Sequence, residues 1–304
     1  MTLVGVDGHL INVQVDVSSG LPSWDIVGLP DISIKESKQR VRAALKNIGV
    51  DIPSRKIIIN LAPANIKKEG PFFDLPIAIG LLYDLNIISK QNLDSYIFIG
   101  ELSLDGNLNK INGVLPMCIE AHNLGIKKAF IPYDNRFEAG IVKGLEVYPV
   151  KSILDLINHL NENNLIEQYK SNIDELFSNK DTYSLDFKDV KGQENIKRAL
   201  EIAAAGAHNC LLLGSPGSGK TMMAKRLPSI LPDLTFNESL EISKIHSIAG
   251  ILPSNKSLIT SRPFRSPHHT ISKAALVGGG TFPKPRRNEF ISFGRFVSWW
   301  DSWI

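Results

Sequence analysis

The sequence is poor in features that would mark several common protein classes. Cysteine occurs only at Cys118 and Cys210, far apart and without a Cys-x-x-Cys pair. That excludes a disulfide framework and the usual zinc spacings, and it predicts two buried thiols in a reducing compartment. No run of about 18 apolar residues is present, so no membrane span is expected. The N-terminus lacks a basic stretch followed by an apolar core, so no secretory signal is expected and the chain reads as cytoplasmic. Charge of one sign is also lacking: the net charge is only +3, with a pI near 8.7. So mild a balance does not by itself argue for nucleic acid. What remains is ordinary: 304 residues, 43% hydrophobic and 21% charged, the make-up of a globular protein of about two domains.

One stretch stands out. Residues 209–226 contain Gly214, Gly219, Lys220 and Thr221 at the spacing G-x-x-x-x-G-K-[ST] of a phosphate-binding loop. The chemistry needs these residue types. Gly214, Gly217 and Gly219 can take backbone angles closed to other residues. With Ser215, Pro216 and Ser218 between them, successive N–H groups can turn inward around a phosphate. A helix starting near Lys220 adds its N-terminal partial charge. Lys220 would reach the β/γ-phosphates of ATP, and the Thr221 hydroxyl would hold Mg²⁺. The apolar run 210–213 is expected to be a buried strand delivering the chain to this turn.

Before that loop, β-branched runs alternate with amphipathic stretches. Residues 3–6 and 10–17 read as a hairpin about Asp7-Gly8. Residues 31–48 read as a helix capped by Asp31 and ended by Gly49. Strands are expected at 56–61, 96–100 and 128–131, and helices at 74–85, 113–124 and 152–160. The alternation indicates an α/β or α+β domain. Residues 67–71, Lys-Lys-Glu-Gly-Pro, read as a solvated charged loop. Residues 161–183 are rich in Asn and read as a linker, with a short helix possible at 173–177. A helix at 195–205 precedes the phosphate loop.

Three segments then point to a family. Residues 69–71, 100–106 and 125–132 resemble the proteolytic domain of Lon proteases. In that family a Ser follows the Gly-Pro and a Lys follows a later Gly-rich turn; here those positions hold Phe72 and Leu115. A Ser–Lys pair needs a hydroxyl nucleophile and an amine base. Phe and Leu offer neither, so the resemblance implies the fold without the peptidase. Residues 186–193 look like the entry to an AAA+ ATPase module, which would place Val190, Gly192 and Gln193 near the adenine; the alternative is a turn that caps the following helix. Residues 23–31, 36–45, 199–205 and 262–269 together resemble the magnesium-chelatase-like AAA+ ATPases of the YifB/ComM group.

That resemblance implies a Lon-protease-like N-terminal α+β domain (1–165), a linker (166–185) and a partial P-loop AAA+ domain (186–304). It also implies ATP and Mg²⁺ as cofactors, DNA as a partner, a homo-hexameric ring, and a role as an ATP-driven DNA motor in branch migration during natural transformation. His268-His269 lack a carboxylate or Cys at ligand spacing. The reading there is a turn, or a basic loop with Arg262, Arg265 and Lys273 facing DNA, where Phe264 is the one nearby aromatic for base stacking. Alternative readings of the whole chain are a non-catalytic nucleic-acid-binding module acting through 262–273, a Lon-like peptidase, and a metal-chelatase subunit.

After Pro285 the family pattern, which would run into an apolar strand ending in Asp-Glu, gives way to an aberrant tail from about 286 carrying three of the four tryptophans. One permitted choice of codons for 286–298, read one nucleotide later, restores Gly-Glu-x-x-Leu-Ser-His-x-Gly-x-Leu-Phe-Leu. Trp299-Trp300 would then read Gly-Gly, not Asp-Glu. The expectation is a frameshift just after Pro285, and a chain that binds nucleotide but hydrolyses little, since phosphoryl transfer needs several positioned groups together.

Overall fold

The computed structural model describes residues 1–89, 92–172, 183–253 and 256–264. The chain divides into two compact units, one of residues 1–172 with 247–257, the other of residues 173–246 with 258–304. None of the described helices is long and apolar enough to cross a membrane.

The first unit opens with a hairpin of β1 (Thr2–Val4) and β2 (Asp7–His9). Its turn is Gly5-Val6, not Asp7-Gly8, and its second arm is 7–9, not the expected 10–17: Gly5 takes the left-handed angle, φ 65°, and Asp7-Gly8 lie within β2. The next strand, β3 (Asn12–Ser18), pairs antiparallel with β5 (Lys56–Ala62), and β4 (Ser23–Val27) pairs parallel with the other side of β5. β5 is therefore central, and its inward residues Ile57, Ile59 and Leu61 are buried at the strand period of two. Helix α1 (Ile32–Asn47) starts where the Asp31 carboxylate accepts the Ile34 N–H at 2.8 Å. It buries Ile34, Val41, Ala44 and Leu45, one face at helical spacing. Helix α2 (Asp74–Asp84) is apolar nearly all round and mostly buried.

A second, all-parallel sheet has the order β10 (Glu146–Val150), β9 (Lys128–Pro132), β6 (Tyr96–Phe98). Phe98, Phe130 and Tyr148 sit in register across it. Their rings stack at 5.2 and 5.1 Å, an aromatic ladder built by strand pairing. Short strands β7 (Glu101–Leu102) and β8 (Leu108–Asn109) form a further hairpin. Helices α3 (Val114–Asn123), α4 (Arg136–Ala139) and α5 (Ile153–Leu160) complete the unit, α5 with a capping box between Ser152 and Asp155.

The four helices expected at 31–48, 74–85, 113–124 and 152–160 therefore form within a residue or two of their predicted ends. The signals for β4, β10 and the β7–β8 hairpin escaped the sequence reading, because these strands are short and partly polar.

Gly28 fixes the exit from β4. Its φ is +98°, and a Cβ there would lie 2.2 Å from the Leu61 carbonyl oxygen. Only glycine permits that approach.

The second unit contains a 3-10 turn at Phe187–Asp189, helices α6 (Glu194–Gly206) and α7 (Lys220–Arg226), and α8 (Phe236–Ile248) up to His246, its last two residues belonging to the first unit. Its small core gathers Phe187, Val190, Leu200, Ala204, Met223 and Leu227. The helix expected at 173–177 and everything from Arg265 onward lie outside the described residues.

Candidate functional site

Residues 210–213 are not paired as a strand. Leu212 leans on the small core, but Leu211 and Leu213 are each 79% exposed and Cys210 is exposed. This corrects two expectations, the buried strand and the second buried thiol. The physical reason is the same for both: among the described residues no strand lies beside 210–213, so nothing covers its alternate side chains. Cys118 is buried as expected, and burial pushes its thiol pKa up.

The glycine loop itself is built. Pro216 and Gly217 make its turn, Gly217 at φ 80° and Gly219 at φ 88°, both left-handed. The Ser218 N–H donates to the Ser215 carbonyl at 3.3 Å. A Cβ at Gly214 would press on Ser218 Oγ at 3.0 Å, so the loop closes tightly on itself there. Lys220 opens α7, and its Nζ donates to the carbonyls of Gly214 (2.8 Å) and Ser215 (2.9 Å). The ammonium is thus folded against the loop's first residues. Thr221 follows, half-buried, one position into the helix. Met223 and Ala224, on the other face of α7, are buried and anchor the helix to the core.

Val190 belongs to that same core, beside Met223 and Leu227. The structure therefore brings Val190 together with the helix that carries Lys220 and Thr221. Gly192 (φ 67°) and Gln193 (φ 60°) are exposed and form the N-terminal turn of α6. There the Gln193 carbonyl accepts the N–H groups of Ile196 and Lys197, each at 3.0 Å. Asp186 and Asp189 close a capping box on the turn before it, and Ser229 Oγ accepts the Phe187 N–H at 2.9 Å.

Of the basic loop 262–273, residues 262–264 are described, and the Arg262 guanidinium is already engaged. It donates to the Pro232 carbonyl at 2.6 Å and lies 3.4 Å from Glu238. Arg265, His268, His269 and Lys273 lie outside the described residues, as does the tail from 286.

In the first unit the two positions of the Lon-type pair are apolar and inside. Phe72 is 8% exposed and tilts against Phe73 at 5.2 Å; Leu115 is fully buried in α3. The buried polar groups lie elsewhere, and sequence reading missed them. Asp74, fully buried at the start of α2, receives Arg40 Nε at 2.7 Å, Arg40 Nη2 at 2.9 Å and the Leu102 N–H at 3.2 Å. Burial pushes its pKa up to about 6, against the opposing pull of Arg40.

Lys68, assigned above to a solvated loop, is fully buried. Its Nζ donates to the carbonyls of Gly28 (2.8 Å) and Pro63, and desolvation lowers its pKa. Glu138 is buried between Asn135 and Ser247, which both donate to it, and burial raises its pKa. A signal for Lys68 did exist. The segment 63–71 is flanked by buried β5 and buried α2, which leaves little room for a solvated loop.

Two family models match the chain: "Subunit ChlI of Mg-chelatase" over residues 13–135 and "Magnesium chelatase, subunit ChlI" over residues 186–290. The second match runs a few residues beyond Pro285. The chain is 41% identical over 285 residues to the competence protein ComM of Haemophilus influenzae, covering 93% of this chain and 55% of that protein. It is 42% identical over 286 residues to the uncharacterized protein YifB of Escherichia coli, covering 93% and 54%. Lon protease 2 of Bacillus subtilis is 28% identical over 180 residues, covering 53% of this chain and 32% of that protease. The chain spans about half the length of the curated relatives it matches most fully. A phosphate-loop sequence in a glycine turn behind a Lon-like α/β unit, with both chelatase matches and extended identity to ComM and YifB, makes this chain a member of the magnesium-chelatase-like ComM/YifB family.

Proposed function

We propose that the loop 214–221 binds the phosphates of ATP, and that the chain is the nucleotide-binding part of an ATP-driven DNA motor of the ComM type. The single observation that carries this is Lys220, whose ammonium lies folded against Gly214 and Ser215 in a loop turned by two left-handed glycines. A chain with that turn can direct successive N–H groups at one anion. Lys220 would exchange its two carbonyl partners for β/γ-phosphate oxygens. The Thr221 hydroxyl would hold Mg²⁺, which neutralises phosphate charge when bound. Ser215, Pro216 and Ser218 shape the loop between its glycines. Val190 would give the adenine an apolar wall, with Gly192 and Gln193 offering backbone groups beside it.

In this reading, 1–165 is a Lon-like domain without its Ser–Lys pair, 166–185 a linker, and 186–304 a partial AAA+ module with an aberrant tail from about 286. The motor would assemble as a cytoplasmic homo-hexamer on branched DNA and serve branch migration in natural transformation. Residues 286–300 do not carry the Asp-Glu that the family pattern places there. For the described loop, nucleotide binding is what is proposed.

The test is thermal melting with Mg-ATP. At about 100 times the dissociation constant, ATP stabilises its binding state by roughly 2.7 kcal/mol. The shift should vanish in Lys220→Ala. A wild-type chain that melts identically with and without millimolar Mg-ATP refutes the assignment.

A further inference from the structure

The first unit has two three-stranded sheets besides its two hairpins, and β3 and β6 are each an edge strand of one of them. β3 pairs along its whole length with β5 on one side, and among the described residues no strand pairs with its other side. β6 likewise pairs only with β9. Both open edges line one cavity of about 660 Å³. Val13 and Val15 of β3 form one wall, Ile97 and Phe98 of β6 the other, and Ile79 of α2 contributes to the floor. Asp84 and Asp94 also line it, both exposed and neither in an ion pair among the described residues.

An open strand edge is a row of N–H and C=O groups that another backbone can satisfy. Two such edge strands beside one groove of mixed polar and apolar lining suit an extended chain better than a compact ligand. Val13 and Val15 share a face at the period of two, which matches a partner whose apolar side chains also alternate. The two exposed carboxylates of its lining select for positive charge on that partner.

We propose that this groove captures an extended segment of a partner polypeptide. The segment adds as a strand along β3 toward the β6 edge, with alternating apolar side chains and lysine or arginine at its ends. Main-chain bonds supply the affinity and the apolar walls supply the register, the pattern of recognition by β-strand addition. Nothing in this depends on nucleotide binding at the glycine loop.

The experiment uses the 304-residue chain and a fluorescein-labelled peptide, Lys-Val-Thr-Val-Thr-Val-Lys, read by anisotropy. Saturable binding is expected. The same peptide with proline at the central valine should bind at least about tenfold more weakly, since proline removes a ladder donor. The double variant Asp84→Lys with Asp94→Lys, at exposed positions that leave the fold intact by circular dichroism, should weaken the lysine peptide. It should also strengthen a version ended by glutamate. The proposal is overturned if the alternating peptide does not bind at millimolar concentration, or if the proline peptide binds equally well. Concentration-dependent dimerisation that the peptide competes away would also overturn it, since the edge would then belong to a second copy of this chain.

Discussion

Removing Arg40 tests the reading of the buried Asp74 site most sharply. The Asp74 carboxylate is fully buried, and Arg40 supplies two of its three hydrogen bonds, at 2.7 and 2.9 Å. In Arg40→Ala the carboxylate keeps only the Leu102 N–H. Breaking a buried ion pair from one side costs about 3–5 kcal/mol, because the remaining charge stays desolvated.

The pH dependence follows with a definite sign. Burial raises the folded pKa of Asp74 from 3.8 to about 6, so folding favours the protonated form. The stability this group contributes is full below pH 3.8 and is lost as pH rises through 6, by about 3 kcal/mol in all. Without Arg40 the folded pKa rises further, so the loss deepens and its upper end moves to higher pH.

The assay is urea unfolding of wild type, Arg40→Ala, Asp74→Asn and the double variant between pH 4 and 8. Arg40→Ala should be closest to wild type at pH 4 and furthest from it at pH 8. In the Asp74→Asn background the Arg40 substitution should cost much less. A loss below about 1 kcal/mol at pH 8, the scale of an exposed pair, or a loss independent of pH, refutes the reasoning.

Three further outcomes are expected. Gly28→Ala forces a side chain into the left-handed region and against the Leu61 carbonyl at 2.2 Å, so it should cost about 3 kcal/mol or more in denaturant unfolding. Gly217→Ala meets no atom within 4 Å, so its cost is the left-handed strain alone, about 1–2 kcal/mol. Mg-ATP affinity should fall accordingly in isothermal titration, while the first unit melts unchanged. Lys68 has a lowered folded pKa, so folding favours its neutral form. The stability it contributes should rise as pH climbs from that folded pKa toward 10.5, a gain that Lys68→Met should abolish in unfolding at pH 8 and pH 10.

Local rules reached far into the first unit. Asp31 caps α1, Pro76 is tolerated in the first turn of α2, and β5 alternates as its β-branched run demands. Each is decided by residues a few positions apart. The 210–213 run shows where this stops. Four apolar residues specify an extended segment, but burial needs a neighbour, and no neighbour is specified by the run itself. Lys68 fails in the opposite direction, its charged sequence context pointing outward while β5 and α2 enclose it.

By itself, then, the sequence determined the family, the glycine loop with Lys220 and Thr221, and most helices, because motif spacing and helical periodicity are properties of nearby residues. Only the tertiary structure decided the Arg40–Asp74 and Lys68 contacts, the exposure of Leu211 and Leu213, and the two open edges that meet in one groove. Those depend on which distant segments come together, and the free energy of burying a charge or covering a strand edge is set by that meeting, not by the residue that waits for it.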